Sequence, residues 1–281
     1  MMLSTDSTAN LPKEYYEKLN IKMIPMQIIL NDTTYDDLSD KLPTKEYYES
    51  MRNGATPTTA QINEFSAREY FEKLLTAGED ILHICFSSAM SGTYSAIKRV
   101  VDDLNSNHSN QIYLVDSLNA SCGEGILVLK AHELMNEGKS IEEIKTEIEN
   151  LVPKTCSYFT VEQLKYLVRG GRVGKFSGIV GTLLNIKPVL RVDENGKLVS
   201  YKKVISRKKS ITEIANIVSN KITDKKYVMI SHAECLSDAE DLANTLKTTL
   251  GVEPIITDLT QVIGCHTGPG LIAVFFFGNE K

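Results

Sequence analysis

The chain has 281 residues, 42% of them hydrophobic, which is enough for a sizeable core and fits two medium domains better than one large one. Lys and Arg number 31 against 36 Asp and Glu, a formal net charge of −5 that gives no electrostatic footprint for nucleic acid, whose binding usually needs a basic face. Five scattered cysteines with no C-x-x-C or Cys/His spacing give no metal signature and point to a reduced, cytoplasmic protein.

The opening "MMLSTDSTANLP" has neither the basic nor the long apolar region of a signal peptide. Downstream, short apolar runs alternate with helical patterns, as parallel strands joined by crossover helices do. "IKMIPMQIIL" (21–30), "DILHICFSS" (80–88) and "NQIYLVDS" (110–117) predict strands. Between the first two, "AQINEFSAREYFEKLLTAG" (60–78) predicts a helix stopped by Gly78. "GEGILVLKAHELMNEG" (123–138) predicts another, and Ser140 with Glu143 forms a capping box on "SIEEIKTEIENLV" (140–152). Pro153 and Lys154 mark a domain junction, giving expected domains 1–155 and 156–281.

Past the junction, "SYF" (157–159) reads as a short strand, and Thr160 with Gln163 as a cap on "VEQLKYLVRGG" (161–171). "KPVLRVDENGKLVSYKKV" (187–204) predicts a hairpin turning at Asn195-Gly196. A helix over 209–222, a strand "YVMISHA" (227–233), a helix from Ser237 capped with Glu240, and two closing strands complete the pattern. The last apolar run, "GLIAVFFFG" (270–278), is far too short to span a bilayer.

Three hydroxyl-rich segments sit where strands feed helices: Asp6, Ser7 and Thr8; Pro57, Thr58 and Thr59; and "SSAMSGTYSA" (87–96) with Ser91, Gly92 and Thr93. A helix N-terminus presents unpaired N–H groups and partial positive charge, which suits a carboxylate or phosphate. A plain helix cap is the alternative reading, and for Pro57–Thr59 taken alone the stronger one, but at the C-terminal edge of a parallel sheet all three would converge. Neither the G-x-S-x-G elbow nor the P-loop spacing is present, so the hydroxyls are better donors than attackers. His266, framed by Gly264, Gly268 and Gly270, is read in a glycine-rich loop as an anion donor or proton-transfer group. Arg169, Arg172 and Lys175 precede an apolar stretch through Ile179, Val180, Leu183, Leu184 and Ile186, which is either a buried helix or a basic rim beside an apolar wall. Arg207, Lys208 and Lys209 form a second local basic cluster.

Together, "STDSTANLP", "TTAQ", "SSAMSGTYSA", "LVDS", "LKYLVRGGRVGKFSGIVGTLLNIKPVL", "ISRKKS" and "HTGPG" resemble, in order and over nearly the whole chain, the DegV family of bacterial fatty-acid-binding proteins. The resemblance implies two α/β domains, an N-terminal three-layer domain on a parallel sheet and a C-terminal one on a mixed sheet, with a ligand tunnel between them. It implies a long-chain fatty acid whose carboxylate is held by Thr59 and Ser91 near the Gly92 amide, with His266 and Arg207 at the head-group mouth. It implies no cofactor, no catalytic residue and, as partner, the ATP-binding subunit of a fatty acid kinase that makes acyl phosphate for phospholipid synthesis. Transient contact with a membrane surface is compatible with that cargo. Two departures stand out: Ala60 replaces a family serine, and only three residues precede Ser4 in the first strand. Two other function classes fit parts of the pattern, an acyl hydrolase or transferase using Ser91 or Ser88 with His266, and a dihydroxyacetone-kinase-like phosphotransferase subunit. The greasy 179–186 stretch speaks against the second.

Overall fold

The computed structural model describes residues 1–172 and 187–281. The N-terminal half runs β1 (Met2–Asp6), α1 (Lys13–Lys18), β2 (Lys22–Ile24), β3 (Gln27–Leu30), β4 (Thr33–Asp36), α2 (Thr44–Arg52), β5 (Thr58–Ala60) and α3 (Glu64–Leu75). It continues through β6 (Ile81–Cys85), α4 (Thr93–Asn107), β7 (Ile112–Asp116), α5 (Cys122–Asn136) and α6 (Ile141–Leu151). The second half runs β8 (Thr155–Thr160), α7 (Lys165–Arg169), β9 (Val189–Val192), β10 (Leu198–Lys202), α8 (Arg207–Lys221) and β11 (Ile222–His232). It closes with α9 (Leu236–Leu250), β12 (Ile255–Asp258), α10 (Gln261–Thr267) and β13 (Ile272–Gly278).

A four-stranded parallel sheet, in the order β2-β1-β6-β7, forms the first α/β half. A six-stranded mixed sheet, β10-β9-β8-β13-β11-β12, forms the second. A small antiparallel sheet, β4-β3-β5, stands beside the first. This last sheet corrects the reading of 21–30 as one strand. Pro25 lacks the N–H that a ladder needs, so the chain leaves the parallel sheet at Ile24 and pairs elsewhere from Gln27.

The capping box at Ser140 and Glu143 is present as expected. Two other expected caps are not. Thr160 ends β8 as a buried residue, and α7 starts from Leu164 without a side-chain cap. Ser237 lies inside α9, which Cys235 precedes with no capping side chain.

β13 explains why the final apolar run does not alternate. Ile272, Val274 and Phe276 pack into a core with α8 and α9, while Ala273, Phe275 and Phe277 join the main core shared by both halves. A strand covered on both faces reads as continuous hydrophobicity.

Beneath the sheet edge lies a buried polar knot. Thr5 Oγ1 is 2.8 Å from both the Ile84 carbonyl oxygen and Glu124 Oε1. Thr8 Oγ1 is 2.5 Å from Asp6 Oδ1 and 2.9 Å from Glu124 Oε2. Two hydroxyl protons cannot serve four oxygen–oxygen contacts, so the carboxyls must contribute protons. Burial supplies the reason: it raises the Asp6 carboxyl and lifts Glu124 well above the usual carboxylate range. Asp6 Oδ2 in turn accepts from the Phe86 N–H at 2.9 Å, which ties the knot to the segment after β6.

Because Glu124 acts as a neutral, hydrogen-bonding group, Glu124→Gln should unfold within a few degrees of the wild type. Glu124→Ala, which strands the threonine hydroxyls beside a void, should cost about 3 kcal/mol in urea titrations followed by circular dichroism. Equal losses for both variants would refute the protonated pair.

Candidate functional site

Alternate residues of neighbouring strands build the floor of an apolar chamber. In register, Phe275 opposes Ser157 and Ala273 opposes both Phe159 and Ser231, so these side chains share one face of the mixed sheet. Val192 and Leu198 extend that face across β9 and β10. Phe86, Met90 and Ala120 from the first half, with Ile263 of α10, close the chamber above it. Its volume of about 60 Å³ is below the usual range of small-molecule sites, and residues 173–186 lie outside the described residues.

One end passes into a more polar cleft. The two spaces share Phe86, Met90, Arg172, Ile263 and His266, and the cleft adds Thr59, Ala60, Gln61 and Ser91. Gln61 and Arg172 are exposed, so this end faces solvent.

Proton bookkeeping gives the cleft its polarity. His266 Nε2 lies 2.9 Å from Thr59 Oγ1, while its Nδ1 is buried against Gly170 with no hydrogen-bond partner among the described residues. A buried, unpaired N–H is costlier than an unpaired ring lone pair, so the proton belongs on Nε2 and is donated to Thr59. The Thr59 hydroxyl proton is then free to point into the cleft. Burial, with the charges of Arg172 and then Arg169, pushes His266 down to about 4, so the imidazole is neutral at physiological pH. The same guanidinium charges favour an anion here. Arg172 itself is braced by the carbonyls of Met90 (3.4 Å) and Gly170 (2.5 Å).

The family model "Uncharacterised protein, DegV family" matches residues 2–279. The chain belongs to the DegV family. A DegV domain-containing protein of Clostridium perfringens is 37% identical over 285 residues, covering 100% of this chain and 98% of the relative. One from Streptococcus pyogenes is 33% identical, covering 99% and 98%. Among solved structures, a DegV family protein from Thermus thermophilus, described for its fatty acid binding, superposes with a TM-score of 0.88 at 28% identity, covering 99% of each chain. DegV of Bacillus subtilis, described as a fatty acid binding protein, superposes at 0.86 and 29% identity over 99% of each chain.

Against this DegV fold, the residues singled out from sequence separate into groups. Thr59, Ser91 and His266 line one cleft although they come from β5, the turn before α4, and α10. His266 is not in a loop: it ends a helix that sequence reading missed. Gly264 permits that helix because a Cβ there would lie 2.1 Å from the Tyr48 hydroxyl. The missing Cβ of Gly92 would fall 2.2 Å from Oε1 at the tip of the exposed Gln61 side chain, which would have to swing away from the start of α4 to admit a larger residue.

Arg207 is not among the residues lining the cleft. Its Nε donates to Asp238 at 2.5 Å and its Nη1 to the Gly270 carbonyl at 2.6 Å, with Glu162 3.7 Å away. Those carboxylates hold it at the start of α8, whereas Arg172 is the arginine among the described residues that lines the cleft. The first hydroxyl loop also departs from the expected convergence. Asp6, Ser7 and Thr8 are buried under the cleft, where Ser7 Oγ accepts from the Met26 N–H and Asp6 from Phe86. The expected wall at Ile179–Leu184, and Lys175 of the basic rim, lie outside the described residues. The chamber lining from β8 and β13 carried only an unspecific sequence signal, apolar runs that any buried strand shows.

The depressed His266 predicts an acid limb in stability. Its contribution is whole above the unfolded value of 6.5 and is lost as pH falls toward about 4, because the unfolded chain takes the proton first. His266→Gln keeps an N–H for Thr59 but cannot titrate. It should remove roughly 3 kcal/mol of the stability lost over that window, read from urea unfolding at stepped pH. Superimposable pH profiles would mean that His266 titrates normally.

Proposed function

We propose that the protein is a non-catalytic carrier of a long-chain fatty acid. The observation that carries this reading is the meeting of two unlike spaces: an apolar chamber of about 60 Å³ shares its lining with a cleft that bears two hydroxyls, Thr59 and Ser91, beside Arg172. An amphipathic molecule with one anionic head matches that junction. Several solved relatives with the same fold are described as fatty-acid-binding.

At about 0.8 kcal/mol per buried CH₂, an acyl chain of roughly fifteen such groups supplies a large gross attraction. Ordering of chain and ligand offsets part of it. The head-group donors therefore set orientation and selectivity more than gross affinity. A hydrolase reading finds less support. Ser91 Oγ bonds Thr93, not His266, whose Nε2 is engaged by Thr59, so no nucleophile–base couple is assembled. A small polar substrate, as a dihydroxyacetone-kinase-like subunit would need, gains nothing from the chamber.

The solvent-facing head-group end fits presentation of the carboxylate to a separate ATP-binding kinase subunit for acyl phosphate formation. No helix among the described residues is long and apolar enough to cross a membrane, and the reading takes the carrier as cytoplasmic.

Native mass spectrometry of the purified protein should show a co-purified fatty acid at one per chain. Ser91→Ala and Thr59→Ala should each weaken binding of added oleate by about 10- to 100-fold, the value of a hydrogen bond to a charged group. A protein that arrives empty and refuses added fatty acids would sink the carrier reading. Ester turnover abolished by Ser91→Ala would replace it with the hydrolase.

A further inference from the structure

We propose that Thr93, a residue that does not line the cleft, is the positioning residue that fixes Ser91 as a hydrogen-bond donor and so makes the cleft selective for an ionised head group. The inference rests on the carrier reading above and concerns how its head-group site discriminates.

Thr93 is fully buried at the start of α4. Its Oγ1 accepts from the backbone N–H of Ile62 at 3.3 Å and lies 2.9 Å from Ser91 Oγ. The backbone N–H of Thr93 also donates to Ser91 Oγ, at 3.2 Å. Either hydroxyl could donate in the Thr93–Ser91 contact, and the surroundings decide which. If Ser91 donated to Thr93, the Thr93 proton would need another acceptor in a fully buried position, and no other contact of that hydroxyl is present among the described residues. Burying a donor without a partner is costly, so Thr93 donates to Ser91.

Ser91 Oγ then has both lone pairs occupied, one by the Thr93 N–H and one by the Thr93 hydroxyl. Only its proton is left for a ligand. Thr59 is set in the same sense by the His266 Nε2–H. The two ligand-facing hydroxyls are therefore both donors, contributed by different segments, and Thr93 is also the atom bridge between those segments through Ile62. An acceptor-only head, such as a carboxylate, satisfies both. A primary amide of the same chain brings two N–H donors to a site whose Ser91 cannot accept, and it carries no charge for Arg172.

The test compares oleate and oleamide by displacement of a fluorescent fatty acid in wild type, Thr93→Val and Thr93→Ser. Wild type should prefer oleate by at least about 30-fold. Thr93→Val has nearly the same shape but no hydroxyl, so it frees a lone pair on Ser91, and the oleate/oleamide ratio should fall at least about 10-fold. Thr93→Ser restores the hydroxyl and should restore the ratio, which a merely structural loss would not do. An unchanged ratio in a folded Thr93→Val that still binds oleate overturns the role of Thr93 and leaves the carrier standing. If Thr93→Val fails to fold, a Thr93→Ser protein that loses the preference while binding both ligands overturns it, and one that keeps it supports the hydroxyl. Wild type that binds neither ligand overturns the carrier and this proposal together.

Discussion

The mixed sheet of the second half has two apolar faces, and α8 and α9 cover only one of them. The other face must be covered by the first half of the chain, and the rest of the structure follows from how that is done. α5 packs against β8, β11 and β13, and Leu271, Ala273, Phe275 and Phe277 join the same core as the parallel-sheet strands. Where Ser157, Ser231 and Ala273 stand in place of bulkier residues, the covering is incomplete. A chamber remains between the halves. It is a product of imperfect filling between two sheets that must be buried for other reasons, which is why its walls come from segments far apart in the chain.

The same covering brings α10 against the first half, where it carries His266 to Thr59. Tyr47 and Tyr48 donate to the carbonyls of Gln261 and Leu259, Gln261 donates to the Leu42 carbonyl, and the buried Asp37 accepts from the Val262 N–H. The helix is short, and most of what holds it is contributed by α2 and the loop preceding it. A side chain late in sequence is thus positioned by residues from the first fifth of the chain.

Buried polar groups in this protein work by constraining proton directions. The Thr5, Thr8, Asp6 and Glu124 knot requires protonated carboxyls, and it holds the Phe86 amide that leads into the Ser91 segment. One layer nearer the surface, Thr93 and His266 direct the hydroxyls of Ser91 and Thr59. Each group is satisfied from below, so its remaining valence points toward the cleft. Pre-orientation of this kind removes an ordering cost that a flexible surface hydroxyl would incur on meeting an anion.

Periodicity alone placed the helices after the β6 and β7 strands, the Ser140 capping box and the alternation of strands and crossover helices, because those patterns are set by neighbours three or four residues away. Residue type also marked Thr59, Ser91 and His266 as unusual hydroxyl and imidazole positions. Sequence failed where the cause was distant. Pro25 splits a strand because the next ladder partner lies in another sheet. Gly264 is a glycine because the buried Tyr48 ring occupies the space. Arg207 looked like a head-group cation, yet Asp238 and Glu162 claim it. What the sequence by itself determined is the alternation of the main strands and crossover helices and the family to which they belong, since side-chain period and local motifs suffice for both. What only the tertiary structure decided is which hydroxyls face a common cleft, which way their protons point, and which apolar side chains leave a chamber, because each depends on contacts between residues tens to hundreds of positions apart.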